Sequence, residues 1–75
     1  MNQHFKVDVC HTQCPGLYGL LGAVQLAEAG DDIELLTTAP ADLVELPEWV
    51  TKAKYELIAQ NGDGGEWKLV VRRTR

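Results

Sequence analysis

The chain has 75 residues, of which 45% are hydrophobic and 24% are charged, and its net charge at pH 7 is −4. That composition predicts a single globular domain over residues 1–75 and excludes the disordered and fibrous classes. The negative charge argues against direct binding to nucleic acid, and no apolar run approaches the roughly 20 residues that a membrane-spanning helix needs.

The first part of the chain predicts a strand followed by a helix. Apolar and polar residues alternate from Phe5 to Cys10, as in a half-buried strand, and this alternation would put Cys10 on the face away from the core. Apolar residues then recur at helical spacing over about 15–29, and Gly30 follows where a left-handed helix cap is expected. Glycines within this helix predict a close approach of the helix to the sheet or to a partner.

The remainder predicts three more strands and one more helix. Residues 33–38 form a short apolar run, which indicates a nearly buried strand, and residues 41–54 indicate a helix that Pro47 should shorten, kink or split. Strands are predicted over 55–60 and 66–73, joined by a hairpin turn at 61–65. The order βαβαββ predicts an α+β fold, a two-layer α/β sandwich in which two helices cover one face of a mixed four-stranded sheet.

Cys14 is the first candidate for chemistry, because it directly precedes the first predicted helix. Pro15 suits the first helical position, which makes Cys14 the N-cap residue. The positive end of a helix stabilises a thiolate, which is the nucleophilic form of cysteine. Gly16 has no side chain that would cover the sulfur. The alternative is a small buried cysteine that merely caps the helix.

Cys10 is the second candidate, since only three residues separate it from Cys14. It could form a disulfide with Cys14, resolve a persulfide or mixed disulfide formed there, or be an incidental strand residue. A metal site that also used His4 and His11 is weakly indicated, because the spacing lacks the paired ligands of zinc sites, and we expect no metal and no cofactor. Two cysteines and a polar start without a signal peptide predict a reducing cytoplasm.

Two further features of the C-terminal part have less specific interpretations. Arg72, Arg73 and Arg75 predict a solvated tail, or a basic surface that steers an acidic partner. Trp67 is expected either in the core or facing a partner. Asp42 is interpreted as a solvated charge or as a charge that compensates a helix terminus.

The motifs resemble those of the TusA/SirA-like family of small sulfurtransferases along nearly the whole chain. Cys14–Leu17 resembles the family's Cys-Pro-x-Pro motif, with leucine in place of the second proline. Gly30–Asp31 resembles a Gly-Asp pair before the second strand, and Glu45–Pro47 resembles an Asp-Ile-Pro motif in the second helix. Tyr55–Leu57 is similar to a His-Glu-Leu strand start.

This resemblance implies a sulfur carrier or sulfurtransferase in which Cys14 accepts sulfane sulfur as a persulfide and passes it to a partner. Pro15 and Gly16 would support the motif, Cys10 is a candidate resolving thiol, and no cofactor is needed. The implied partners are a sulfur-donor protein, of the cysteine desulfurase or rhodanese type, and a sulfur-acceptor protein. Two other functions stay open: a noncatalytic binding or regulatory module on the same fold, and a Cys10/Cys14 dithiol redox switch.

Overall fold

The elements of the chain follow the predicted βαβαββ order. The computed structural model describes residues 3–10 and 16–75, without the side chain of Asp63. The elements are β1 (His4–Asp8), α1 (Gly16–Leu26), β2 (Asp32–Thr37), α2 (Asp42–Ala53), β3 (Glu56–Asp63) and β4 (Glu66–Arg72). Neither α1 nor α2 is long and apolar enough to cross a membrane.

The four strands form the predicted single mixed sheet, and their order in it is β1-β2-β4-β3. β1 pairs with β2 in parallel, whereas β4 is antiparallel to both β2 and β3. The carboxyl ends of β1 and β2 therefore meet at one end of the sheet. The start of β4 reaches the same end, because Trp67 is opposite Thr37.

Both helices cover one face of the sheet. Residues 33, 35 and 37 of β2 are buried and alternate with half-buried residues on the other face. Leu69 and Val71 of β4 lie on the same covered face, opposite Leu35 and Ile33. The buried core consists of Leu20, Ala23, Val24, Ala27, Ile33, Leu35, Leu46, Val50, Leu69 and Val71. This arrangement confirms the two-layer α+β sandwich.

The uncovered face of the sheet carries an ion-pair network. The carboxylate of Glu34 lies 3.8 Å from His4, 3.9 Å from Lys6 and 3.7 Å from Lys68. These pairs join β1, β2 and β4 across the open face. Such half-exposed pairs are solvated and individually contribute little stability.

Two boundaries and one predicted helix break differ from the predictions. α1 ends at Leu26, before the predicted end near residue 29, although Gly30 has the expected left-handed conformation with φ of 95°. Of the effects predicted for Pro47, a split of α2 is wrong: the helix is continuous, because the core contacts of Leu46 and Val50 on either side outweigh one lost backbone hydrogen bond. The β3–β4 turn is shorter than 61–65 and consists of two glycines at positive φ.

Asp31 ties three segments together at the end of the sheet opposite the start of α1. Its side chain is buried, and its carboxylate accepts backbone N–H groups of Gln3 at 2.7 Å and Glu28 at 2.8 Å. These hydrogen bonds favour the ionised form and hold the pKa of Asp31 below its usual range. Because the backbone N–H of Glu28 is bonded to the Asp31 carboxylate, α1 does not continue for a further turn, which explains its early end.

Arg73 does not belong to a solvated tail, so that prediction was wrong for this residue. Its Nη1 donates to the backbone carbonyl of Val24 at 2.6 Å and to that of Ala27. Arg72 is also engaged, since its Nε lies 2.9 Å from the Asp32 carboxylate. A cation at the C-terminal end of a helix offsets the partial negative charge of the last carbonyls.

We expect Arg73→Met to lower the free energy of unfolding by about 1–2 kcal/mol, because the variant loses charged hydrogen bonds to helix carbonyls. Urea denaturation measures this change. Arg75→Met is the matched control, and its free energy of unfolding should differ from that of wild type by less than about 0.5 kcal/mol. Arg75 contacts Arg73 through its backbone carbonyl, which the substitution retains. Equal losses in the two variants would contradict a capping role.

The lowered pKa of Asp31 predicts a pH-dependent contribution to stability. Because the folded-state pKa lies below the unfolded value, the stabilisation is present above the ordinary pKa of about 3.9 and is lost as the pH falls through the folded pKa. The difference in unfolding free energy between wild type and Asp31→Asn should therefore be largest near neutral pH and shrink in acid. A difference that is constant with pH would show that the charge of Asp31 is not what stabilises the fold.

Candidate functional site

The described residues that flank Cys14 in the chain lie at the end of the sheet where β1 and β2 finish. Cys14 and Pro15 lie outside the described residues, as does His11. Their flanking residues are both at this end: Cys10 follows β1, and Gly16 begins α1. Two residue steps link Cys14 to Gly16, so the chain keeps their Cα atoms within about 7 Å of each other.

Gly16 is buried against a carboxylate. A Cβ atom at this position would lie 2.9 Å from Cγ of Asp42, which is closer than real Cβ contacts. The Asp42 side chain is itself held in place, because Thr37 donates a hydrogen bond to its Oδ2 at 2.6 Å. Thr37 in turn accepts the backbone N–H of Ala39 at 3.1 Å. Only glycine fits at position 16 while this buried pair is intact.

Of the two interpretations of Asp42, the solvated charge is wrong, because the residue is only 3% exposed. Its carboxylate lies beside the first residue of α1 and is also in the first turn of α2. Helix N-termini carry partial positive charge, and α1 has no acidic residue of its own in the first turn. Asp42 therefore supplies negative charge to the N-terminal ends of two helices.

β1 ends at Asp8, so Cys10 lies beyond the strand and is not a strand residue. Its Sγ donates to Oε1 of Glu66 at 3.4 Å, and its backbone N–H donates to Oδ1 of Asp8 at 2.9 Å. Partial burial is the largest cause that raises the pKa of Cys10, and these two carboxylates add to it. Together they raise this pKa to about 11. Cys10 is therefore a protonated thiol at neutral pH.

A shallow cleft of about 400 Å³ borders Glu66 on the β3–β4 hairpin. Its lining residues are Leu36, Asn61, Gly62, Glu66, Trp67 and Lys68. Trp67 packs against the core, and its ring lies so close to Gly62 that no Cβ would fit there. The core position expected for Trp67 is therefore confirmed, and its side chain also lines this cleft.

The structure does not bring His4 and Cys10 together, so it gives no support to a metal site that uses both. His4 begins β1 and lies 3.8 Å from Glu34, whereas Cys10 follows the other end of the same strand. Four residue steps of β-strand already separate the ends of β1 by about 13 Å. No group of three potential metal ligands occurs among residues 3–10 and 16–75.

Sequence reasoning missed the importance of Thr37, Asp42 and Glu66. Asp42 resembles an ordinary acidic residue in the first turn of a helix, and Glu66 an ordinary residue after a turn. One signal was available: a glycine at the start of α1 is unusual, and it indicates that another group occupies the space of its side chain. Nothing local in the sequence identifies that group as Asp42.

Comparison with known proteins agrees with the resemblance found in the motifs. Residues 5–73 match the family described as Sulfurtransferase TusA. A protein of Archaeoglobus fulgidus, provisionally named a sulfur carrier protein, is 30% identical over 70 residues, which cover 92% of this chain and 96% of that protein.

We expect Gly16→Ala to lower the free energy of unfolding by about 1–3 kcal/mol, because the new methyl group would push against the buried carboxylate of Asp42. Gly22→Ala is the matched control in the same helix, since a Cβ at Gly22 meets no atom within 4 Å. That variant should be more stable than wild type by about 0.5–1 kcal/mol, because alanine favours helix.

The double variant Gly16→Ala/Asp42→Ala tests whether the two residues compete for one space. Removal of the carboxylate leaves room for the methyl group, so Gly16→Ala should cost less in the Asp42→Ala background than in wild type. Urea denaturation of all four proteins measures this coupling. Equal costs in both backgrounds would contradict the contact.

Proposed function

Because the chain belongs to the TusA sulfurtransferase family, we propose that it carries sulfane sulfur as a persulfide on Cys14 and passes it to a partner protein. The observation that carries the proposal is the position of α1, which begins two residues after Cys14 at the end of the sheet. The N-terminus of an 11-residue helix stabilises an anionic sulfur. Pro15 and Gly16 support this motif.

The proposed transfer has two steps that need no external oxidant or reductant. In the first, the Cys14 thiolate attacks the outer sulfur of a donor protein's persulfide, and the donor cysteine leaves as a thiolate. In the second, an acceptor thiolate attacks the outer sulfur on Cys14, and Cys14 leaves as a thiolate. Each step forms one S–S bond and breaks another, and no cofactor takes part.

The environment of Cys10 favours Cys14 as the cysteine that carries the sulfur. The Cys10 thiol donates a hydrogen bond to Glu66, and its pKa of about 11 leaves little thiolate at neutral pH. It is therefore a poor nucleophile in the free protein, and the same property disfavours a Cys10/Cys14 redox switch. The proposal places the protein in a reducing cytoplasm, with a cysteine desulfurase or rhodanese-type protein as donor.

Incubation of wild type with inorganic polysulfide should add about 32 Da to the intact mass, which corresponds to one sulfur atom on a cysteine nucleophile. The adduct should be absent in Cys14→Ser and retained in Cys10→Ser. Dithiothreitol should restore the original mass, because a small thiol removes the outer sulfur of a persulfide.

The proposal fails if wild type gains no sulfur, or if Cys14→Ser gains as much as wild type. Alkylation before the polysulfide treatment serves as the control for cysteine dependence. Circular dichroism of Cys14→Ser checks that the variant is folded.

A further inference from the structure

In a sulfur carrier, a second cysteine close in the chain to the persulfide can cause loss of the carried sulfur. Four residue steps separate Cys10 from Cys14, which allow any Cα separation up to about 14 Å and so include the roughly 4–7 Å that a disulfide needs. A Cys10 thiolate could attack the inner sulfur of a Cys14 persulfide. The Cys10–Cys14 disulfide would form, the S–S bond of the persulfide would break, and the outer sulfur would leave as hydrosulfide. Two cysteine sulfurs are oxidised in that step and the sulfane sulfur is reduced.

Three segments hold Cys10 in place at the end of the sheet. Its thiol donates to Glu66 at 3.4 Å, its N–H donates to Asp8 at 2.9 Å, and its carbonyl accepts from Thr38 Oγ1 at 3.4 Å. A thiolate has no proton to donate, so ionisation would break the bond to Glu66. The resulting negative sulfur would then face the carboxylate of Glu66 directly, with that of Asp8 close by.

The geometry points to Glu66 as the residue that protects carried sulfur, because it holds Cys10 as a hydrogen-bonded thiol and so prevents its attack on the Cys14 persulfide. This inference rests on the proposed function of Cys14. It assigns to Glu66 a controlling role that acts through Cys10, without contact between Glu66 and the transferred sulfur.

The electrostatics around Cys10 agree with this role. Partial burial, Glu66 and Asp8 together raise the pKa of Cys10 from 9.0 to about 11. The higher pKa leaves less thiolate at neutral pH than an ordinary cysteine would have. Lys68, which follows Glu66 on the same face of β4, does not offset this effect directly, because its Nζ is paired with Glu34 at 3.7 Å.

The position of Glu66 makes the inference testable without damage to the fold. Glu66 is exposed and follows the two-glycine turn of the hairpin, away from the buried core. Glu56 is the matched control: it is also an exposed glutamate at the start of a strand, but it pairs in register with Arg72 at the opposite end of the sheet. Glu66→Gln and Glu56→Gln thus remove the same charge from opposite ends.

The first measurement follows iodoacetamide alkylation of Cys10 against pH in the Cys14→Ser background, where no persulfide can interfere. Glu66→Gln should lower the midpoint and increase the alkylation rate at pH 8 by about 3–10-fold, in proportion to the added thiolate. Glu56→Gln should leave both unchanged. An unchanged midpoint in Glu66→Gln would overturn the inference.

The second measurement follows sulfide release from protein that retains both cysteines and has been loaded with inorganic polysulfide. Glu66→Gln should release sulfide faster than wild type by a similar factor and accumulate a species about 2 Da lighter than the dithiol, the Cys10–Cys14 disulfide. Glu56→Gln and Glu66→Gln/Cys10→Ser should both release sulfide as slowly as wild type.

The outcomes separate this inference from the proposed function. Normal loading of wild type with unchanged release from Glu66→Gln overturns the protective role alone. Failure of wild type to load overturns the carrier role on Cys14, while the alkylation series still reports whether Glu66 controls the ionisation of Cys10. Faster release that persists in Glu66→Gln/Cys10→Ser also overturns the inference, because Cys10 would not be the attacking group.

Discussion

The parallel pairing of β1 with β2 is the constraint on which the placement of the site depends. Parallel neighbours need a crossover connection, and α1 provides it on the covered face of the sheet. The chain must therefore leave β1 and enter α1 at the same end of the sheet where β2 finishes. That requirement brings Cys10, Gly16 and Thr37 to one end of the sheet.

Two carboxylates at this end have different environments and different effects. Asp42 is buried, hydrogen-bonded to Thr37 and adjacent to the first residue of α1, so its charge is balanced by the positive ends of two helices. Glu66 is exposed and accepts a hydrogen bond from the Cys10 thiol, so its negative charge keeps Cys10 in the neutral, protonated form. The two carboxylates thus bind different groups at this end of the sheet, the Thr37 hydroxyl and the Cys10 thiol.

Hydrogen bonds that stabilise the fold lie at the opposite end of the sheet. Asp31 holds the start of β1 and the end of α1 through backbone hydrogen bonds, and Arg73 binds the last carbonyls of the same helix. The C-terminal end of α1 is thus fixed by a carboxylate and a guanidinium. At the N-terminal end, Gly16 lies in close contact with Asp42. Structural stabilisation and proposed chemistry are separated along the length of one helix.

Local patterns were sufficient to predict the element order, the glycine that follows α1, the hairpin and the position of Cys14 before a helix. Those features depend on side-chain periodicity and on the backbone preferences of glycine and proline, which act between residues close in the chain. Tertiary structure alone decided that Asp42 is buried against Gly16, that Arg73 caps α1 and that Glu66 binds Cys10. Each of these contacts joins residues at least 26 positions apart, and their burial and charge interactions exist only once the sheet and helices have packed.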